Sequence, residues 1–438
     1  GKGVAPGFSF AHIPAPGNLT VGGVLAINGH GTAVPTPPAD DFDVPYGSMS
    51  NQILGFTAIV TLPGTSTYVA HQFSRDDADA KAFLTHCGRA FLIDATLQVT
   101  DNYHLRCQSF MTIPDATLFA QPVGGKSPPR SVGDYLDQSG RIEVIWFPNF
   151  DTSQPSFPWL KVWTVTPKKP QWSKLVTAPY NYPFSDNLPT FVTSVLRQIV
   201  SGAPSLTPTF CNLEASFTAS ELYKSPDLWG VSKNTLLYVK DSTLRVTANG
   251  YAVLMKRDQV QQAIADFAAQ FSSMLIAYQN NSLWPINSPL EIRVTGLDDP
   301  TKIITPSGKT PDSPVISSLS LDPVVQKNGW EVACWFDILT VIPDGDPQQA
   351  FTFYSELEAW FYTHFGSQFR VNVEWSKGWA YTKAGGAWSD PAVLQTIRDT
   401  YTNGRAANDT WAWQVNTLNS YDAGNLFTNP FLATLFTP

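Results

Sequence analysis

Glu291-Ile292-Arg293 places a carboxylate and a guanidinium two residues apart. In an extended strand, residues i and i+2 share a face. Leu290, Ile292 and Val294 then look one way, and Glu291, Arg293 and Thr295 the other. Lining a cavity, such a pair supplies a base that takes a proton and a cation that holds developing negative charge. The plain alternative is a solvated ion pair on a sheet face, which is common and weak. Two further carboxylates fall among apolar neighbours. Glu143 alternates with Ile145 and Phe147, and Asp337 with Ala333, Trp335 and Leu339. A carboxylate on an apolar face has a raised pKa or a partner, and either marks a candidate site, unless that face is a half-exposed edge. Lys377 is the remaining candidate. If residues 375–379 are extended, it lies between Trp375 and Trp379 on one face. There it is either a snorkelling surface residue or a cation held beside an aromatic cofactor or ligand.

Two glycine clusters come earlier: Pro16-Gly17-Asn18-Leu19-Thr20-Val21-Gly22-Gly23, then Asn28-Gly29-His30-Gly31. Glycines let backbone N–H groups approach an anion such as a pyrophosphate. The spacing is not GxGxxG and no clear helix is expected to follow, so this is not a Rossmann turn; two ordinary turns is the alternative reading. Gly124-Gly125-Lys126-Ser127 ends like a phosphate-binding loop, but Ala120 stands where its first glycine belongs. None of the six histidines pairs at metal-ligand spacing, no GxSxG is present, and none of the four cysteines forms a CxxC. Zinc sites and hydrolase triads therefore have no anchor.

The elements that must position these residues are mostly strands. Apolar, β-branched runs predict strands at 55–62, 91–99, 141–147, 161–166, 235–246, 290–295 and 330–341. Apolar stripes at helical spacing predict helices at 189–200, 256–280, 349–364 and 390–403. Residues 299–326 read as an exposed loop. Strands in runs with helices between them imply an α+β fold, a sheet with helices on one face. The 438 residues call for about two or three lobes. At 43% hydrophobic and 13% aromatic, the composition implies large apolar interiors and suits an apolar ligand cavity. A net charge of −8 without a basic stripe excludes a nucleic-acid partner, and no apolar run has the length of a membrane span.

Together these segments resemble one family. The stretch 16–31, Tyr46-Gly47-Ser48-Met49-Ser50-Asn51 and the Gly88-Arg89 turn before the 91–99 strand look like the second half of a vanillyl-alcohol-oxidase-type FAD-binding domain. The downstream chain is similar to the bacterial cholesterol oxidases with covalently bound FAD. Arg106-Cys107-Gln108-Ser109, Ile145-Trp146-Phe147-Pro148, Pro179-Tyr180-Asn181-Tyr182, Phe184-Ser185-Asp186-Asn187-Leu188-Pro189, Glu291-Ile292-Arg293, residues 374–379 and Phe427-Thr428-Asn429 carry that similarity.

The resemblance implies a flavin enzyme that oxidises the 3β-hydroxyl of sterols with molecular oxygen. The products would be the 4-en-3-one, through a double-bond shift, and hydrogen peroxide. It assigns Glu291, Arg293, Glu143, Lys377 and Asp337 to catalysis, although the family can carry Asn at the Asp337 position. FAD contacts would come from Gly17, Asn18, Thr20, Val21, Gly22, Gly23, Asn28, Gly29, His30, Gly31, Tyr46, Ser48, Ile93, Lys377 and Asn429. The histidine bonded to FAD would come from a segment upstream of Gly1, since His30 does not match it. Residues 1–100 and 405–438 would belong to the FAD domain, and 101–404 would form a substrate domain with a large, mostly antiparallel sheet covered by helices. Secretion and a transient contact with a membrane surface, to extract sterol, follow from the same resemblance. Two other readings stay open: another flavin alcohol or lactone oxidase of the superfamily, and a sterol-binding module without catalysis.

Overall fold

Period-two alternation builds the sheet on which the site stands. The computed structural model describes residues 7–36, 42, 44–62, 64–183, 188–240, 246–342 and 347–437. Ile53–Thr61 (β1), Tyr68–Ser74 (β2) and Phe91–Leu97 (β3) form a small antiparallel sheet with β1 in the middle. The large sheet has nine strands: His104–Phe110 (β4), Ile142–Trp146 (β5), Trp159–Val165 (β6), Lys174–Val176 (β7), Asp227–Val231 (β8), Thr247–Met255 (β9), Leu290–Gly296 (β10), Val332–Thr340 (β11) and Arg370–Val373 (β12). Their order is β12-β9-β11-β10-β5-β6-β4-β8-β7, antiparallel throughout except for the β8–β7 edge pair.

The two faces of this sheet differ in chemistry. Ile142, Val144, Leu290, Ile292, Val294, Cys334, Phe336 and Ile338 are buried in the main apolar core. They pack with Val260, Ile264, Phe267 and Phe271 of the long helix Val260–Asn280 and with Phe353 and Leu357 of Gln348–Trp360. The period-3.6 stripe meets the period-two face, as the amphipathic pattern requires. The opposite face carries Glu143, Lys161, Glu291, Arg293 and Asp337, with the apolar residues Ile145, Phe147, Trp159 and Trp163 to one side and Ala252, Leu254 and Trp335 to the other.

Several expectations need correction. The predicted strand at 235–246 does not form in its described part: Ser232–Thr235 closes a short helix, and strand β9 begins at Thr247. Residues 241–245 of that expectation, and Phe184-Ser185-Asp186-Asn187, lie outside the described residues. A six-residue helix, Val21–Ala26, does follow the first glycine cluster, capped by Thr20, whose hydroxyl accepts from the Gly23 N–H. Two glycines among its six residues hid it, since glycine is a poor helix former. The helices Thr207–Tyr223 and Trp411–Ser420 escaped the pattern reading. The first has apolar and polar residues spread all round it, so no stripe marks it.

The C-terminal segment packs against the small sheet. Asp422 is ion-paired to Arg89 at 3.0 Å and accepts from Tyr68, and Thr61 N donates to the Tyr421 carbonyl at 2.8 Å.

Candidate active site

The strand register assembles the charged cluster. Glu143 lies directly opposite Arg293 on one side and Lys161 on the other, and Glu291 lies opposite Asp337. Cross-strand neighbours stand about 5 Å apart, so four strands deliver their ionisable groups to one spot. Arg293 then bridges three carboxylates. Its Nε donates to Glu143 Oε1 at 2.8 Å, Nη1 to Asp337 Oδ2 at 3.0 Å, and Nη2 to Glu291 Oε2 at 2.5 Å. The planar, multi-donor guanidinium suits this task and an ammonium does not. Glu143 is also paired with Lys161, which sits beneath it at 4.2 Å from the Trp159 ring and 5.2 Å from the Tyr182 ring.

A second layer rises on the β12 side. Lys377 Nζ lies 3.8 Å from Asp337 Oδ2, and His30 Nε2 lies 3.5 Å from Glu374 Oε1. The His30 ring stacks on Trp335 with centroids 3.7 Å apart and planes 10° from parallel. Gly250, opposite Asp337 on β9, makes the close approach possible: a Cβ there would stand 2.6 Å from Asp337 Oδ1 and 3.1 Å from Glu374 Oε2. The segment 375–379 is a turn, not a strand. Trp375 and Trp379 meet edge to face at 5.5 Å on the buried side, while Lys377 points to the cluster. Lys377 therefore does not lie between them.

Burial and charge divide the protonation states. Burial would raise the Glu291 carboxyl, but Arg293 and Lys377 outweigh it and hold Glu291 below its ordinary value. Against burial, Glu291, Glu143 and Asp337 hold the Arg293 guanidinium well above its ordinary value. Burial and the nearby Glu374 push Asp337 well up. Glu374 itself is held well below its usual range, against burial, by Lys377 and by bonds from His30 and Asp337. Asp337 thus keeps its proton and shares it with Glu374. Four carboxyl groups then face three basic groups, Lys161, Arg293 and Lys377, and burial draws the Lys161 ammonium below its ordinary value.

A cavity of 540 Å³ opens over this cluster. Glu143, Glu291, Arg293, Glu374 and Lys377 line one side, Gly29, His30 and Gly31 the other, and Ile145, Phe147, Trp159, Leu236, Leu237 and Val239 extend it as an apolar chamber. Gly31 is needed where it stands, because a Cβ would meet the Ile13 carbonyl at 2.5 Å. Of the five carboxylate and cation positions singled out from sequence, Glu143, Glu291, Arg293 and Lys377 line this cavity and Asp337 joins them through Arg293; Glu143, fully buried, is no half-exposed edge.

The model describing the substrate-binding region of cholesterol oxidase matches residues 104–437. The chain belongs to the cholesterol oxidase family. Among solved structures, "Solvent-stable cholesterol oxidase" is 44% identical, with a TM-score of 0.91 over 98% of this chain and 78% of that one. Cholesterol oxidase from B. sterolicum is 35% identical, with a TM-score of 0.90 over 98% of this chain and 77% of that one. A histidine-to-alanine variant of the Brevibacterium sterolicum enzyme aligns with a TM-score of 0.89 at 35% identity, over 98% of this chain and 77% of that one. No curated protein matches the chain.

In this cholesterol oxidase fold, the expected FAD contacts divide. Gly29, His30, Gly31 and Lys377 line the main cavity, and Gly17 and Val21 line a neighbouring one that shares Pro14, Pro16, Leu19 and Val24 with it. Val21 and Ile93 present exposed apolar surface, 60% and 51% exposed, and Asn18, Gly22 and Gly23 are also exposed. Others are engaged by protein. Asn28 accepts from the Ser317 hydroxyl and the Ser318 N–H, Thr20 and Asn429 cap helices, and Tyr46 is packed in a small apolar cluster. Ser48 donates its N–H to Asp298 Oδ1 at 2.6 Å and its hydroxyl to Oδ2 at 2.9 Å, and Ser317 donates to Oδ2 at 2.5 Å. Asp298 therefore anchors the 46–51 segment. Asp298→Ala is expected to cost about 3 kcal/mol, because three donors lose their acceptor in a buried site, and thermal unfolding checks this.

Sequence reasoning missed Lys161 and left Glu374 without a role. Trp159-Leu160-Lys161-Val162-Trp163 did carry a signal for Lys161, a cation flanked by aromatics at i±2 on one strand face.

The residues present fit a flavin. A flat imidazole (His30, held by its stack on Trp335), closely approaching glycine backbone and a lysine on one rim suit an aromatic ring system that becomes anionic.

Proposed function

We propose that this chain forms the sterol-oxidising site of an FAD-dependent oxidase that converts the 3β-hydroxyl of cholesterol-like sterols to the ketone and shifts the ring double bond to give the 4-en-3-one. The observation that carries this is the single cavity in which an acid–base cluster on the sheet faces the glycine loop and opens into an apolar chamber. When bound, FAD supplies the hydride acceptor for C3 and passes the electrons to oxygen, releasing hydrogen peroxide. Gly29, His30, Gly31 and Lys377 would hold its ring.

Glu291 takes the proton of the sterol hydroxyl. Arg293 keeps Glu291 ionised and steadies the oxygen as it loses its proton. Lys377, on the cavity rim, would supply positive charge to a bound ring that becomes anionic on reduction. Glu143, paired with Lys161 and Arg293, moves the proton between C4 and C6 that the double-bond shift requires. The apolar chamber holds the hydrocarbon skeleton and excludes water. Among the described residues no helix is long and apolar enough to cross a membrane. Trp172, Phe191 and Tyr223 offer exposed apolar groups for a passing contact with a lipid surface. A covalent histidine link to FAD and secretion belong to this proposal on family resemblance.

The visible absorption spectrum of the purified protein is the test, repeated on acid-precipitated pellet and supernatant, then with sterol added without oxygen. Yellow colour in the pellet that bleaches with sterol supports the whole reading. Colour in the supernatant removes the covalent link and leaves the oxidase. A flavin that sterol does not bleach overturns the function.

A further inference from the structure

One acid on the cavity wall has no part in this chemistry. Glu214 lies on the Thr207–Tyr223 helix, 7% exposed, and lines the main cavity together with Thr218, one turn further on. Its Oε2 is buried without a hydrogen-bond partner among the described residues. The neighbouring turn is tied down, since the Cys211 thiol reaches the Asn287 carbonyl at 3.9 Å, just before Ser288 and Pro289 join the cavity wall. The helix therefore holds Glu214 at the chamber rather than letting it turn to solvent. Burial alone pushes its carboxyl up to about 8, and the charges of the Arg293 cluster do not act on it. At neutral pH it is a hydrogen-bond donor facing an apolar chamber.

A buried donor without an acceptor is costly. The hydrocarbon portion of cholesterol cannot satisfy it, because its one hydroxyl is used at Glu291. We propose that Glu214, with Thr218 beside it, is a specificity determinant for sterols carrying a second oxygen, a hydroxyl or ketone remote from C3, to which its carboxyl group donates. This rests on the sterol-oxidase reading. A site built to hydrogen-bond a substrate group discriminates strongly against the analogue without it, because its own polar group is then left unpaired.

The test uses the flavin-loaded enzyme with cholesterol, a side-chain alcohol of cholesterol and a D-ring keto steroid, comparing wild type with Glu214→Leu and Glu214→Gln. Wild type should show lower KM for the oxygenated sterols. In Glu214→Leu their KM should rise about ten-fold relative to that for cholesterol, the loss of one buried hydrogen bond, while the cholesterol KM falls. Glu214→Gln still donates and should keep the wild-type order. An unchanged KM ratio in Glu214→Leu overturns the proposal. If that variant fails to fold, a wild-type enzyme without preference for the oxygenated sterols, or a Glu214→Gln that loses such a preference, overturns it equally. Failure of wild type to oxidise any of the three sterols overturns the sterol-oxidase reading instead.

Discussion

Glu291→Gln is expected to lower kcat for sterol oxidation by about two to four orders of magnitude, the usual worth of a positioned general base, with little change in flavin content. The amide keeps the shape and still accepts from Arg293 Nη2, which in the native protein bonds Glu291 Oε2 at 2.5 Å. It cannot take a proton. The lowered pKa of Glu291, set by Arg293 and Lys377 against burial, has two consequences. The base is ionised throughout the neutral range, so the native rate should hold as pH falls and drop only below the ordinary glutamate value, about 4.3. It is also a weak base, so the proton leaves as the hydride does, when the alcohol is most acidic. Anaerobic stopped-flow reduction by sterol isolates this step from reoxidation. If Glu143→Gln slows reduction more than Glu291→Gln does, the base is Glu143 and the two roles are exchanged.

Arg293→Met is expected to cost about 3–5 kcal/mol of stability at neutral pH, the range for removing one partner from a buried charge cluster. The carboxylates of Glu143 and Glu291 lose their shared cation, and the protonated Asp337 loses a hydrogen-bond donor, in a single substitution. The pH dependence follows in sign. Glu291 and Glu374 have depressed folded pKa values, so their contribution is present above the unfolded value and is lost as pH falls through the folded one. Asp337, raised by burial and Glu374, acts oppositely: it opposes folding as pH rises past its unfolded value. Without Arg293, ionising Glu291 in the fold becomes unfavourable. The variant's deficit should therefore be large at pH 7 and shrink near pH 4, where unfolded carboxylates also hold protons. Thermal unfolding at both pH values measures this. Arg293→Lys should recover part of the stability but not the activity, because one ammonium cannot meet three carboxyl groups with fixed geometry. Equal destabilisation at both pH values would mean that packing, not charge, is what Arg293 supplies.

The strand face of Glu291 and Arg293 was legible from two residues of spacing, because the period of a strand is local. The same holds for Glu143 with Ile145 and for Asp337 with Trp335. Helices with a clean stripe, such as Val260–Asn280, were legible for the same reason. Thr207–Tyr223 was not, since its buried face mixes Thr207, Glu214 and Thr218 with Phe210, Cys211 and Leu222, so no apolar stripe marks it. With it went Glu214, whose meaning depends on which wall its helix forms. The turn at Lys377 was hidden because Trp375 and Trp379 suggest alternation, while their real partners, Tyr401 and Trp411 for Trp375 and Phe431 for Trp379, lie far along the chain.

The sequence by itself determined the ingredients: two sheet faces of opposite chemistry, the long core helix, the glycine loops and the family to which their combination belongs. These are set by side-chain period and by backbone freedom within a few residues. Only the tertiary structure decided the pairings. Register across four strands makes Lys161, Glu143, Arg293, Glu291 and Asp337 one cluster. The missing side chain at Gly250 lets Asp337 and Glu374 share a proton, and the stack of His30 on Trp335 brings the glycine loop over them. Coulomb energy and desolvation depend on separations of a few ångströms between residues up to about 340 positions apart, His30 and Glu374 among them, and chain spacing carries no record of those distances.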